Sequence, residues 1–331
     1  LGDVYKRQDQ GFAGGIVDLI PAQLGSYNGS AAVHLQLKAD GHLIVGAEYR
    51  QSQDNSDIAL LQLNTDGSLD AGNFGSSAAG FTLFTEIDTN AQTEERLSQM
   101  KLDPADDTLV IAGQYKLMAD PRLYVARFNE TGLLMNTANS PSDTFGDAAQ
   151  GYSVLNLVDN SNDQTKYSEY LNALDFDAGQ NLIFALSKNY EGDESHYLQR
   201  LQRNGLTDTS FNSGSPRLYN SFSDQTPVNL EIKAIHTDAA GRLLMAGTYG
   251  INAWVGRVLL DGGGSNVGRW DPAFEANSAT PGAYLFTGFT FSSDLFMQLT
   301  SSKVTLGWSN YDAGGYLSLI HISEPTRPLY I

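Results

Sequence analysis

The sequence contains no cysteine, which excludes disulfides, zinc–thiolate sites, iron–sulfur clusters and a cysteine nucleophile. It has no apolar run of the ~18 residues that a membrane-spanning helix needs, so no membrane insertion is expected. Basic residues are also scarce: 20 Lys and Arg stand against 38 Asp and Glu, for a formal net charge of −18. A field of this sign repels nucleic acid and attracts cations.

Signatures of common enzyme classes are missing as well. The sequence has no G-x-S-x-G nucleophile motif and no Walker loop, and the glycine run at 262–264 lacks the third glycine of a dinucleotide site. No two histidines stand at a metal-ligand spacing. The four within residues 9–316 are each interpreted as a structural strand residue: His34, His42, His196 and His236. This pattern predicts no catalytic residue, no cofactor and no metal ligand.

Glycine, in contrast, is abundant at 33 residues, and it recurs within a repeated pattern. Four segments each contain an apolar run, a turn rich in Asp, Gly or Asn, and a second apolar run that ends in Tyr. The second run begins at Leu43, Leu109, Leu182 and Leu243. The spacing of 66, 73 and 61 residues indicates an internal repeat.

A second module follows each of these segments. Its apolar run carries a long polar residue near the end, which is Gln62, Arg127, Arg200 or Arg257. An aromatic residue follows in each unit, at Phe74, Phe145, Phe211 and Phe274. A fourth apolar run comes next, at 80–88 in the first unit. Because short apolar runs between Asp-Gly or Asn-Gly turns predict hairpins, each unit is expected to form four antiparallel strands, A to D.

Several such units predict an all-β fold, namely a partial β-propeller with about four complete four-stranded blades and incomplete flanking blades. The pattern resembles the bacterial delta-60 repeat family over most of residues 9–316, most strongly at 35–75 and 100–146. The resemblance implies a β-propeller within a larger secreted or cell-envelope protein, without an established biochemical activity. Ala185 and Leu186 depart from the small residues of the pattern.

The two ends are interpreted as foreign to the natural protein. The codons GAT-GTG-TAT-AAG-AGA-CAG encode Asp3–Gln8, and their reverse complement encodes Leu317–Ile322. This DNA resembles a sequencing-library adaptor read in both directions. Residues 1–8 and 317–331 are therefore assigned to the adaptor and 9–316 to the propeller repeat, with the signal region expected outside this sequence.

The repeated residues are predicted to be architectural. Gly46, Gly113 and Gly247 would let neighbouring strands approach closely, and the repeated phenylalanines would pack between blades. The arginines are expected to form ion pairs or hydrogen bonds between blades, with an anion-binding ring as the alternative. The carboxylates considered as their partners are Asp143, Asp208 and Asp271.

Antiparallel topology places the A–B and C–D turns on one face, and the B–C and D–A loops on the other. The A–B and C–D turns are expected to be short, and the other loops to vary in length and to carry clustered acids. We predict that these acids form a face that binds a cationic ligand, Ca²⁺ or a basic partner; the alternative is a solvated surface without a ligand. The acids are Asp54, Asp57, Glu94, Glu95, Asp120, Asp159, Asp163, Glu191, Asp193, Glu194 and Asp224.

Residues 64–70 and 159–163 are rich in oxygen ligands, but neither segment meets the EF-hand pattern, so turns or solvated loops are expected there. The favoured function is a non-enzymatic module, extracellular or in the cell envelope. It would act as a scaffold, or in adhesion and ligand binding through the acidic face, with a protein or carbohydrate partner. The alternatives are a glycosidase or lyase acting on polysaccharide and a calcium-dependent binding module. The fold does not choose between them, because function depends on the site.

Overall fold

The computed structural model describes residues 31–52, 55–76, 79–85, 87, 93–117, 120–155, 167–219, 230–250, 252–260, 267–274, 282–286, 295–299, 303–309 and 317–323. The chain divides into two compact units, residues 1–156 and residues 157–331.

The first unit contains two four-stranded blades. In each blade the strands pair antiparallel in chain order, and one parallel pair, Ser56 with Glu94, joins the third strand of the first blade to the first strand of the second. Blade 1 consists of β1 (Ala31–Leu37), β2 (Leu43–Ser52), β3 (Asn55–Leu63) and β4 (Phe81–Phe84). Blade 2 consists of β5 (Thr93–Leu102), β6 (Leu109–Leu117), β7 (Asp120–Phe128) and β8 (Tyr152–Leu155).

The second unit repeats this arrangement and adds a three-stranded sheet. Blade 3 consists of β9 (Tyr167–Phe176), β10 (Leu182–Tyr190), β11 (Asp193–Leu201) and β12 (Arg217–Leu218). Blade 4 consists of β13 (Leu230–Thr237), β14 (Leu243–Tyr249), β15 (Asn252–Val258) and β16 (Ala283–Phe286). The further sheet consists of β17 (Leu295–Leu299), β18 (Lys303–Ser309) and β19 (Leu317–Ser323). The predicted all-β, propeller-type fold with four complete blades is confirmed, whereas the foreign origin of the segment that contains β19 stays a prediction.

The first strand of every blade carries a β-bulge at the same place. One extra residue stands opposite the middle of the second strand, and it is Val33, Ser98, Asn172 or Lys233. Next to the bulge, a Cβ on Gly113 would lie 1.9 Å from the carbonyl oxygen of Arg96, and a Cβ on Gly247 would lie 1.7 Å from that of Glu231. The predicted role of these two glycines, a close approach of strands, is therefore confirmed at the bulge.

Each unit has its main core between its two four-stranded blades. In the first unit, Phe74 contacts the turn of the next blade so closely that a Cβ on Gly132 would lie 2.4 Å from its Cζ. In the second unit, Phe211 packs in the same way against Gly268, where a Cβ would lie 3.1 Å from the ring. The expected packing of these two phenylalanines between blades is confirmed. Burial of such large rings is a main source of stability in a fold of this kind.

The long polar residues of the third strands pair mainly within their own blades. The Nε atoms of Arg200 and Arg257 lie 2.6 Å from Oδ2 of Asp208 and Asp271, respectively. These two partners were predicted, but their ion pairs lie within a blade and not between blades, whereas the predicted hydrogen bond between blades is present for Arg200. The contact that Arg200 makes with the next blade is a hydrogen bond of 3.0 Å, in which its Nη1 donates to the carbonyl oxygen of Leu260. Because these guanidinium groups are engaged by carboxylates, the arrangement does not support an anion-binding ring.

Blades 1 and 2 show how this contact can vary. In blade 1, Gln62 Nε2 donates to Asp70 Oδ2 at 2.7 Å, so an amide replaces the guanidinium. In blade 2, Met135 occupies the position of the aspartate, and Arg127 binds Asp103 instead. The side chain of Arg127 also donates to Thr108 Oγ1 at 2.9 Å. The predicted partner Asp143 is exposed, so this part of the prediction is wrong.

Candidate functional site

The lengths of the connections between strands differ from those on which the prediction of an acidic face was based. Two residues separate the second strand from the third in all four blades, so the B–C loops are uniformly short. In blade 3 this turn is Glu191-Gly192, with φ of 51° and 98°, which matches a tight hairpin turn. The C–D connections are long instead, as between Leu63 and Phe81 in blade 1. The prediction of loop lengths was therefore wrong for the B–C and C–D connections, whereas the A–B turns are short and the D–A loops vary in length, as expected.

The structure places six of the predicted loop acids within strands: Asp57 in β3, Glu94 and Glu95 in β5, Asp120 in β7, and Asp193 and Glu194 in β11. Asp57 is 6% exposed and Glu95 is 1% exposed, so these two do not contribute to an open acidic surface. Glu191 and Asp193 are exposed. Asp54, Asp159, Asp163 and Asp224 lie outside the described residues.

One predicted acid, Glu194, lines a pocket of about 210 Å³ between blades 3 and 4. The other lining residues are His196, Glu231, Thr248 and Gly250. Gly250 belongs to the B–C turn of blade 4, and Glu194 follows the B–C turn of blade 3. The pocket therefore lies at the end of the blades where the acidic face was predicted.

His196 forms the buried wall of this pocket, with its side chain 4% exposed. Its Nδ1 accepts a hydrogen bond of 3.4 Å from the backbone N–H of Ile232 in the next blade. Nε2 lies 3.6 Å from Glu194 Oε1, too far for a direct hydrogen bond. Burial lowers the pKa of His196 to about 4, although the nearby Glu231 acts in the opposite direction. The ring is therefore neutral near pH 7, and with Nδ1 as acceptor its proton is on Nε2.

Glu231 also lines the pocket and is held by its neighbours. Thr248 Oγ1 donates to Glu231 Oε2 at 2.6 Å, and Lys233 Nζ lies 2.9 Å from the same oxygen. Burial alone would raise the pKa of Glu231, but these two contacts outweigh it and the pKa is lower than usual. Trp254 Nε1 fixes the backbone by donating to the carbonyl oxygen of Glu231 at 3.1 Å. Glu231 is therefore held as a carboxylate through its Oε2, and among the described residues no hydrogen bond to its Oε1 is found.

Neither His196 nor Glu231 was predicted to be a site residue, although the repeat contains a signal for the first of them. The position of His196 in the third strand is occupied by Ile58, Leu123 and Ala253 in the other blades, and all three are fully buried. A polar ring at a position that is apolar in the other three blades departs from the repeated, architectural pattern. Such a comparison between repeats points to a site only when a pocket is known to adjoin the position.

Among the described residues, no group of three or more His, Asp or Glu side chains is arranged to hold a metal ion. The oxygen-rich segment at 64–70 is a hairpin turn, in which Asp66 Oδ1 accepts from the N–H of Ser68 at 2.9 Å and from its hydroxyl at 2.6 Å. The second such segment, 159–163, lies outside the described residues. In the same described part of the chain, no helix has the length and apolar character needed to cross a membrane.

The burial of His196 leads to a prediction for stability. The unfolded chain has a histidine pKa of about 6.5, whereas burial lowers the folded value to about 4. Between these values the unfolded chain binds more protons, so the free energy of unfolding falls as the pH falls. His196→Leu should abolish this pH-dependent loss in the free energy of unfolding, which amounts to about 3 kcal/mol at a pH of about 4. Glu194, Glu231 and Lys233, which face the ring, remain in both proteins.

Urea unfolding of the wild type and of His196→Leu across this pH range measures the effect. The difference between their free energies of unfolding should change with pH and become constant above a pH of about 7. A difference that is the same at every pH would show that His196 is not held neutral by burial.

The described blades and their repeated contacts define a chain of the β-propeller class. In agreement, residues 38–72 match a family described as a domain of unknown function (DUF5122) beta-propeller. The match covers blade 1 from its A–B turn to the middle of its long C–D connection. It supports a repeat of propeller type. No curated protein matches the chain in sequence.

Solved structures with a similar fold include several enzymes. The polysaccharide lyase Uly1 is 10% identical, with a TM-score of 0.50, and the match covers 88% of this chain and 57% of Uly1. An ulvan lyase of polysaccharide lyase family PL25 is 8% identical, with a TM-score of 0.44 and coverage of 89% and 66%. An endo-arabinase from Bacteroides thetaiotaomicron is 11% identical, with a TM-score of 0.37 and coverage of 90% and 93%. The chain thus spans little more than half the length of Uly1, and this likeness concerns the fold alone.

Proposed function

We propose that this chain is a non-catalytic β-propeller module that binds its ligand in the pocket lined by Glu194, His196 and Glu231. The observation that carries the proposal is the contrast between two sets of polar residues. Arg200 and Arg257, which recur from blade to blade, are engaged in buried ion pairs within their blades. His196, in contrast, replaces an apolar residue in one blade and faces a pocket.

The electrostatics of the pocket support binding in preference to catalysis. A general base or acid works best when its pKa lies near the working pH, whereas burial lowers the pKa of His196 to about 4. Glu231 is already engaged by Lys233 at 2.9 Å and by Thr248 at 2.6 Å. These groups are suited to fixed hydrogen bonding. The extracellular or cell-envelope location expected from the repeat is part of the same proposal.

A carbohydrate is the partner class that we favour. Uly1, which is similar in fold, is a polysaccharide lyase, and this likeness supports a saccharide as the ligand. The pocket itself combines carboxylate acceptors with a neutral imidazole donor, and saccharide hydroxyls can pair with both. A scaffold or adhesion role would use the same binding face.

The experiment is a panel of soluble polysaccharides tested for binding and for cleavage. Affinity electrophoresis should show that at least one polysaccharide retards the protein, and that Glu194→Ala reduces the retardation. The same mixtures should release no reducing ends and form no unsaturated product that absorbs in the ultraviolet. Cleavage that disappears in Glu194→Ala would overturn the non-catalytic assignment, and a complete lack of retardation would overturn the proposal of a carbohydrate-binding module.

A further inference from the structure

We propose that the pocket between blades 3 and 4 recognises a hydroxyl group of one neutral sugar residue, which bridges His196 Nε2 and Glu194 Oε1. This inference rests on the proposed function and adds the chemical class of the ligand. It depends on the placement of donors and acceptors in the pocket, and on the size of the pocket.

The donor is fixed by a contact between the blades. His196 Nδ1 accepts from the N–H of Ile232 at 3.4 Å, so the ring proton of the neutral imidazole is on Nε2. Ile232 is completely buried in the core between blades 3 and 4, which holds this backbone N–H in place. The ring therefore presents a donor to the pocket.

The acceptor lies beside this donor but does not bond to it directly. Glu194 Oε1 is 3.6 Å from His196 Nε2, which is longer than an ordinary hydrogen bond. A hydroxyl group can accept from Nε2–H through its lone pairs and donate its own proton to the carboxylate. It would thereby satisfy both groups at once. Glu231, which also lines the pocket, offers its Oε1 as an acceptor for a second ligand hydroxyl.

Charged ligands fit this arrangement less well. An ammonium group has only donors, so it would satisfy the carboxylates but would direct an N–H toward the N–H of His196. A carboxylate or sulfate ligand would lie between Glu194 and Glu231, with Lys233 as the opposing charge at 2.9 Å from Glu231. A neutral hydroxyl group avoids both conflicts.

The size of the pocket indicates one sugar residue. Its volume of about 210 Å³ is smaller than the ~300–1,000 Å³ typical of sites for drug-sized ligands. The side chains of Glu194 and Glu231 are each 33% exposed, whereas that of His196 is 4% exposed. The carboxylates therefore lie at the mouth and the imidazole at the floor. This shape suits the terminal residue of a glycan, with the remainder of the glycan in solvent.

The test compares neutral, cationic and anionic probes of the same ring size by ligand-detected NMR and isothermal titration. The probes are the neutral methyl glycosides of glucose, galactose and mannose, the cationic glucosamine and the anionic glucuronate. At least one neutral glycoside should bind, and both charged probes should bind more weakly. His196→Leu should weaken the neutral glycoside about tenfold, because one buried donor is lost.

His196→Leu introduces the residue that blade 2 already has at this position, Leu123, so the fold should be retained. Glu194→Ala changes a half-exposed side chain at the mouth and tests the acceptor without altering the core; it should cause a similar loss of affinity. Glu130→Gln, in the exposed turn of blade 2, removes one negative charge elsewhere and should leave the affinity unchanged. Melting temperatures of all three variants establish that they are folded.

The outcomes separate this inference from the proposed function. If glucosamine binds best and His196→Leu does not weaken it, the pocket is a cation site; the hydroxyl assignment is then wrong while a binding module remains. Neutral binding that survives both His196→Leu and Glu194→Ala also overturns the assignment. If no sugar probe binds and no polysaccharide retards the protein, both are wrong. Cleavage of a polysaccharide overturns the proposed function first.

Discussion

Replacement of Arg257 by leucine should lower the free energy of unfolding by about 3–5 kcal/mol. Arg257 is 2% exposed, and its Nε lies 2.6 Å from Oδ2 of Asp271, which is 5% exposed. The guanidinium also lies 5.1 Å from the centre of the Phe274 ring. Without the cation, the Asp271 carboxylate would stay buried with its charge uncompensated. Urea unfolding followed by far-ultraviolet circular dichroism measures the loss.

Two control variants separate charge from packing. Arg257→Gln should cost less than Arg257→Leu, because in blade 1 Gln62 bonds to Asp70 through an amide at 2.7 Å. The double variant Arg257→Leu with Asp271→Leu removes both charges and should also be more stable than the single leucine variant. If Arg257→Leu costs less than about 1 kcal/mol, the ion pair does not hold the blade together.

The second large effect is expected for Gly113→Ala, which should cost about 2–3 kcal/mol. A Cβ on Gly113 would lie 1.9 Å from the carbonyl oxygen of Arg96 and 3.1 Å from the amide nitrogen of Ser98. Both atoms belong to the backbone of β5, so no side-chain rotation can relieve the contact. β5 and β6 would have to separate at the bulge, and neighbouring ladder hydrogen bonds would lengthen. Thermal and urea unfolding measure the change.

The matched control lies at the same position in blade 1, where Ala47 stands next to the bulge. Ala47→Gly should cost no more than about 1 kcal/mol, because it adds only backbone freedom in a strand. If Gly113→Ala lowered the free energy of unfolding no more than Ala47→Gly does, the backbone of blade 2 could accommodate a Cβ at the bulge, as that of blade 1 does. The tight strand approach would then not explain the glycine.

Much of the fold could be predicted from the sequence, because it depends on local and repeated patterns. Alternating apolar runs bounded by Asp-Gly turns predict hairpins, and the recurrence of Leu43, Leu109, Leu182 and Leu243 predicts the blades. The first of these leucines begins β2, and the others begin the matching strands. Phe74 and Phe211 pack between blades as expected because a large apolar ring that recurs in every unit has no other place to be buried.

The parts that could not be predicted depend on contacts between distant residues. Arg127 changes its partner to Asp103 because Met135 occupies the aspartate position, and this follows only once the blade is assembled. The acids were assigned to loops because acidic residues favour solvent, yet Glu95 is 1% exposed in β5. The pocket at His196 arises where two blades meet, so no local pattern marks it. Two of its residues, His196 and Glu231, are 35 positions apart in the sequence.

The contacts of Arg200 with Asp208 and of Arg257 with Asp271 also bear on how such an array can grow. In each of these blades the arginine has its aspartate partner within the same blade. Duplication or deletion of a whole blade therefore adds or removes both charges together. For Arg200, the partner that deletion of the next blade removes is a neutral carbonyl, that of Leu260, while its aspartate stays. Unequal recombination between repeats can consequently change the number of blades without separating either arginine from its aspartate.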